Sequence, residues 1–210
     1  MSGAGDARLR FLALGDSYTI GEGVQPDGRW PRQLARALRG DGVDLGDPQV
    51  IATTGWTTDE LSAGIDAAAP TGCFDLVSLL IGVNNQYRGR PLDEYRAQFE
   101  ALLDRAIGFA GGRADRVLVL SIPDWGTTPF ARQSGRDRDR IAQELDAFNA
   151  AAREACAARA VAFVDITAHG RTHAADPAML ADDGLHPSAA AYAAWTRLAL
   201  PVARRLLSRP

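Results

Sequence analysis

The sequence predicts an α/β fold: a three-layer α/β/α sandwich built on a doubly wound, five-stranded parallel sheet. Three observations carry this. Five short apolar runs are spaced along the chain, and segments with helical periodicity separate them. The runs are continuously apolar rather than alternating, as strands covered on both faces must be. The order β-α-β-α-β-α-β-α-β-α is that of a sheet wrapped by crossover helices.

The predicted strands are Arg10–Leu14, Gln49–Ala52, Leu76–Ile81, Val117–Ile122 and Val161–Ile166, each bounded by Gly, Pro, Asp or Thr. Trp30-Pro31 opens a short helix, with proline at a permitted early position. Leu92, Tyr95, Phe99, Leu102, Leu103, Ala106, Ile107 and Ala110 step by three and four along one helix face, and Gly111-Gly112 ends that helix. Ile141, Leu145, Phe148 and Ala152 repeat the pattern. The sign-alternating run Arg136–Arg140 reads as the solvated start of that second long helix. A last helix follows Pro187 through Tyr192, Trp195 and Leu198, and Pro201 is expected to kink or interrupt it.

At 210 residues the chain is expected to form one domain, residues 1–210. A net charge of −3 offers no footprint for nucleic acid or an acidic membrane surface. All 23 basic residues are arginine. That excludes a Schiff-base lysine, a Ser–Lys dyad and a phosphate-loop lysine. Cys73 and Cys156 lack metal-type spacing and are expected to be buried free thiols. The first ten residues are polar, and the longest apolar run, Leu76–Val83, is too short to span a bilayer. The expectation is a cytoplasmic protein without a membrane anchor.

In such folds, ligands meet the carboxyl ends of the strands. Four segments there carry candidate chemistry: Gly15-Asp-Ser17, Thr53-Thr-Gly-Trp-Thr57, Gly82-Val-Asn-Asn85 and Asp182-Asp-Gly-Leu-His-Pro187. Ser17 alone is equally a helix cap. Joined to a base it becomes a nucleophile. His186 is the candidate base and Asp183, three residues earlier, the carboxylate that fixes its tautomer, with Asp182 as the alternative. Pro187 biases His186 away from helical backbone. Candidate oxyanion donors are the backbone N–H of Ser17, the N–H of Gly55 and the side-chain amide of Asn84, each worth roughly 3 kcal/mol of transition-state stabilisation. Trp125 and Phe130, in the loop after the fourth strand, and Trp56, beside Gly55, are candidate substrate-binding residues.

With these four blocks in this order, the chain resembles the GDSL, or SGNH, hydrolases over nearly its whole length. The resemblance implies a flavodoxin-like parallel sheet and cofactor-free hydrolysis of esters and thioesters. It implies Ser17 as nucleophile, His186 as general base and acid, and Asp183 as its orienting partner. Gly55 and Asn84 would complete the oxyanion hole. Two departures stand out. Val-Asn-Asn follows Gly82 where many members have Asn-Asp, so Asn84 and Asn85 compete for one role. The second block, Ile51–Gly55, lacks an asparagine common near its start. The expected partner is a small-molecule ester. The short connections leave no room for a large lid, so short acyl or acetyl groups are expected. A lysophospholipase or thioesterase is the alternative within the family.

From another class, a flavodoxin-type nucleotide- or flavin-binding module would use Gly15–Gly23 as a phosphate cradle. That stretch does not match G-x-G-x-x-G. An α/β-hydrolase is disfavoured because no G-x-S-x-G elbow follows a strand. A catalytically dead interaction protein is disfavoured because no catalytic role is vacant. His169 and His173 have the spacing of a metal pair, but no third ligand stands close in sequence, and Gly170 between them argues against a stable helix. No metal site is expected.

Overall fold

The structure, a computed structural model, describes residues 8–208. Most of the polar amino-terminal stretch, residues 1–7, lies outside the described residues. The five predicted runs all become strands: β1 Phe11–Gly15, β2 Gln49–Ala52, β3 Leu76–Leu80, β4 Val117–Leu120 and β5 Ala162–Val164. They form one parallel sheet in the order β2-β1-β3-β4-β5. β3, β4 and β5 stop short of the predicted ends because the chain turns away from the ladder to build the loops of one rim.

Nine α-helices are described: α1 Ser17–Ile20, α2 Trp30–Gly40, α3 Thr58–Ala68, α4 Val83–Tyr87, α5 Leu92–Phe109, α6 Pro129–Gln133, α7 Arg138–Ala158, α8 Thr167–Thr172 and α9 Ala189–Leu207. α3, α5 and α7 pack together on one face of the sheet, and α2 and α9 pack against each other on the other. β1, β3 and β4 are therefore buried along their full length, and the edge strands β2 and β5 only in part. That explains the continuous apolar runs.

The helix signals convert directly. α5 buries Tyr95, Phe99, Leu102, Leu103 and Ala106 and ends just before Gly111 and Gly112, whose φ values are 66° and 80°. α7 begins inside the alternating run, where the Asp137 carboxylate accepts the N–H groups of Asp139 and Arg140.

Three expectations need correction. Pro201 does not interrupt α9, which runs to Leu207. An interior proline costs about 3 kcal/mol. The α9 face of Tyr192, Trp195, Ala199, Ala203 and Leu206 is buried, and each large apolar side chain there contributes about 1.5–3 kcal/mol. Burial wins. Cys73 is free but exposed, because it lies in the turn before β3 rather than beneath a helix; Cys156 is free and buried. Gly170 sits inside α8, whose short span it does not break.

Register brings the site together. Gly15 at the end of β1 stands beside Ala52 of β2 and Leu80 of β3. The segments that follow these three strands leave the sheet at one level, at the switch point on either side of β1.

Candidate active site

At the end of β1 the chain turns into α1, and Asp16 caps that helix by accepting the Tyr18 N–H at 3.0 Å. Ser17 is the first residue of α1 and is buried except toward a cleft. The cleft has a volume of about 220 Å³. Ser17, Gly55, Asn84 and His186 line it together with Tyr87, Trp125 and Phe130.

The Asp16 carboxyl is fully buried, and its Oδ2 has no hydrogen-bond partner. Burial pushes this carboxyl up to about 7 against the lowering effect of the Tyr18 N–H.

The 181–187 segment, which brings His186 to the same cleft as Ser17, is closed by backbone hydrogen bonds. The N–H of Ala181 donates to His186 O at 2.8 Å, and that of Ser188 to Met179 O at 3.0 Å. Within this loop His186 Nδ1 lies 2.6 Å from Asp183 Oδ2. Asp183 Oδ1 accepts the N–H groups of Leu185 and His186, each at 2.9 Å. Partial burial raises the Asp183 carboxyl, but the hydrogen bonds from the His186 ring and the two backbone N–H groups outweigh it and hold the group below its ordinary range. Between the neighbouring aspartates the geometry selects Asp183. The His186 ring also meets Tyr18 edge-on, with centroids 6.0 Å apart.

Gly55 has φ of 88°, a left-handed conformation that a side chain would strain. Asn84 and Asn85 separate cleanly. Asn84 lines the cleft, and its Nδ2 donates to Trp56 O at 2.9 Å. Asn85 is fully buried and turned toward α3, accepting the Thr58 N–H at 3.1 Å and donating to Thr58 Oγ1 at 2.7 Å. Asn85 thus ties α4 to the start of α3.

Of the three aromatic candidates, Trp125 and Phe130 line the cleft and Trp56 does not. The Trp56 indole lies on Gly64 of α3, where an added Cβ would come within 2.2 Å of its ring. This corrects its expected place in the pocket: packing against α3 takes the ring, and only the Trp56 main chain serves the rim. Trp125 is fixed by its Nε1–H donating to Gln86 Oε1 at 2.8 Å. The loop that carries it is tied by Arg171 Nε to Asp124 Oδ2 at 2.8 Å and by Arg138 Nε to Gly126 O at 2.7 Å. Tyr87 stacks edge-on against Trp125 with centroids 5.3 Å apart, and the Arg136 guanidinium sits 4.3 Å above the Tyr87 ring.

Sequence reasoning passed over Tyr87, Gln86, Arg88 and Arg171. Gln86 and Tyr87 belong to α4, a five-residue helix too short to show periodicity, Arg88 caps its carboxyl end, and Arg171 meets Asp124 from 47 positions away. The rings of His169 and His173 lie 4.0 Å apart. Among the described residues no group of three or more His, Cys, Asp or Glu could hold a metal. Among the same residues no helix is long and apolar enough to cross a membrane.

A parallel α/β/α sandwich with a serine after its first strand, an asparagine after its third and an Asp–His couple before its last helix defines the class of the Gly-Asp-Ser hydrolases. The chain belongs to the GDSL-like Lipase/Acylhydrolase family, which it matches over residues 13–194. Its fold is similar to that of TesA, at 19% identity, with 94% of this chain and 99% of that chain covered and a TM-score of 0.74. It is also similar to a lipolytic G-D-S-L protein from Veillonella parvula, at 17% identity, 94% and 99% coverage and a TM-score of 0.70. Axe2, an acetylxylan esterase from Geobacillus stearothermophilus solved as a Ser-to-Ala catalytic mutant, is similar at 22% identity, 95% and 94% coverage and a TM-score of 0.68. At these identities the likeness is one of fold. The chain has no match among curated proteins.

Proposed function

We propose that the protein is a serine ester hydrolase acting through an acyl-enzyme on small carboxylic esters with acetyl or other short acyl groups. The observation that carries the reading is the Asp183–His186 couple at 2.6 Å, with His186 lining the same cleft as Ser17, Gly55 and Asn84.

In this reading the Asp183 carboxylate accepts a hydrogen bond from His186 Nδ1–H, which fixes the tautomer and leaves Nε2 free to take the Ser17 hydroxyl proton. The Ser17 oxygen attacks the ester carbonyl. The N–H groups of Ser17 and Gly55 and the amide of Asn84 receive the charge that develops on the carbonyl oxygen. Collapse of the tetrahedral species breaks the ester bond, and the imidazolium returns its proton to the leaving alcohol. Water, deprotonated by His186, then attacks the acyl-enzyme by the same route and frees the acid. Each step uses groups that lie along one rim of the sheet, and none needs a cofactor.

The preference for short acyl groups is supported by the modest cleft of about 220 Å³, lined on one side by Tyr87, Trp125 and Phe130. It is also in keeping with the acetylxylan esterase among the similar folds. The test is turnover of p-nitrophenyl esters from acetate to palmitate, run beside Ser17→Ala and His186→Ala. The expected result is a maximum at the shortest chains and loss of turnover in both variants. Turnover that survives Ser17→Ala overturns the mechanism. A maximum at long chains overturns the substrate class and favours the lysophospholipase alternative.

A further inference from the structure

The loop that carries Gly55 is tethered at five consecutive residues, and only one of the tethering side chains, Asn84, has a place in the mechanism above. The Thr54 hydroxyl donates to the Glu22 carboxylate. Arg88 Nη2 donates to Gly55 O at 2.6 Å. Asn84 Nδ2 donates to Trp56 O at 2.9 Å. The Thr57 N–H donates to Glu60 Oε2 at 2.9 Å, and the Thr58 N–H to Asn85 Oδ1 at 3.1 Å.

Arg88 connects the three central tethers, at Gly55, Trp56 and Thr57, through its own bonds to Gly55, Asn84 and Glu60. It caps the carboxyl end of α4, and its own N–H donates to Asn84 O at 3.0 Å. Asn84 and Arg88 are four residues apart on a helix, so both project from one side. From that side they take the two successive carbonyls of Gly55 and Trp56. The second arm of the Arg88 guanidinium, Nη1, donates to Glu60 Oε1 at 3.0 Å. Glu60 spends its other oxygen on the Thr57 N–H that opens α3. A single planar fork therefore joins α4 to the start of α3 and holds the peptide that follows Gly55. Lysine, a point donor, cannot span both.

Gly55 needs such a hold. Its φ of 88° is a conformation that glycine also leaves readily, and its N–H must point at a developing oxyanion to be of use. We infer that Arg88 is a positioning residue for catalysis: by fixing the Gly55 carbonyl it holds the turn from which the preceding 54–55 peptide, and with it the Gly55 N–H, is presented, without touching substrate. The inference rests on the assignment of Gly55 as an oxyanion donor.

The experiment compares wild type with Arg88→Met, which keeps the stem and removes the fork, and with Arg88→Lys. The two readouts are steady-state kinetics on p-nitrophenyl acetate and hydrogen exchange of the peptide spanning residues 53–57. Arg88→Met is expected to lower kcat by about 10- to 100-fold with KM within about twofold, as a misplaced catalytic group does. The 53–57 amides are expected to exchange about tenfold faster. Arg88→Lys is expected to recover part of both losses. Wild-type kcat in Arg88→Met, a loss confined to KM, or unchanged exchange at 53–57 overturns the inference. Fluorophosphonate labelling of Ser17 in the wild type, read by mass spectrometry, tests the serine mechanism separately. If labelling fails while exchange still rises in Arg88→Met, the catalytic assignment is at fault and the clamp stands.

Discussion

Asp183 meets His186 with both carboxylate oxygens: Oδ2 takes the ring nitrogen Nδ1 at 2.6 Å, and Oδ1 takes the His186 backbone N–H at 2.9 Å. One carboxylate thus orients the ring and shapes the turn that presents it. Asp183→Asn retains an acceptor for the turn but offers the ring a donor or a weaker acceptor. The expected outcome is a fall in kcat of about 10³- to 10⁴-fold together with a lower thermal midpoint at neutral pH. Because the Asp183 carboxyl is held below its ordinary range, its contribution to stability is present above the unfolded carboxylate pKa and is lost as pH falls through the folded one. Acid unfolding of wild type and Asp183→Asn should converge at low pH.

Asp16 behaves in the opposite sense. Burial pushes its carboxyl up to about 7, so the folded chain holds a proton there that the unfolded chain has released. Stability linked to Asp16 is full below the unfolded pKa of about 4, declines as pH rises, and is gone above about 7. Asp16→Asn removes this titration and keeps an acceptor for the Tyr18 N–H. The difference in unfolding free energy between the two proteins, measured by urea titration, should move by a few kcal/mol in favour of the variant across that window, at about 1.4 kcal/mol per pH unit. A difference independent of pH contradicts this.

The adjacent asparagines should give contrasting phenotypes. Asn84→Ala removes a cleft amide and should lower kcat by about 10²- to 10³-fold while the protein remains stable. Asn85→Ala leaves the buried Thr58 N–H unpaired at the start of α3. It should cost about 1–3 kcal/mol of stability, read as a lower thermal midpoint.

The two tryptophans separate likewise. Trp125→Ala opens the cleft wall and should shift the p-nitrophenyl ester optimum toward longer chains. Trp56→Ala empties the space over Gly64, costs about 3–5 kcal/mol at most as a large-to-small change, and should leave the chain-length profile unmoved.

How far the sequence reaches is visible in these pairs. That the segments of Ser17, Gly55, Asn84, Asp183 and His186 meet at one rim was legible because turn-rich segments at strand ends announce themselves locally, and so were the five strands. Asn84 is preferred to Asn85 only through the family resemblance, since which one faces the cleft depends on the rotation of α4 and on the position of Thr58. Trp56 was misplaced for a related reason: its neighbour Gly64 opens space on α3, and only the docked helix reveals it. Trp125 was placed at the cleft, yet what anchors it was not, because Gln86 and Trp125 stand 39 positions apart. The interruption expected at Pro201 by local rule was overruled by the buried face of α9.

The packing of α9 against α2 also has a kinetic consequence. Ser17 arrives with the first strand, whereas Asp183 and His186 arrive just before the last helix. The nucleophile and its base are neighbours only after α9 has docked on the sheet, so loop closure across almost the whole chain precedes chemistry. A refolding experiment followed by ester turnover should therefore report the final docking event. Activity should lag behind the recovery of helical circular dichroism, and an emerging chain should stay silent until its carboxyl-terminal helix is complete.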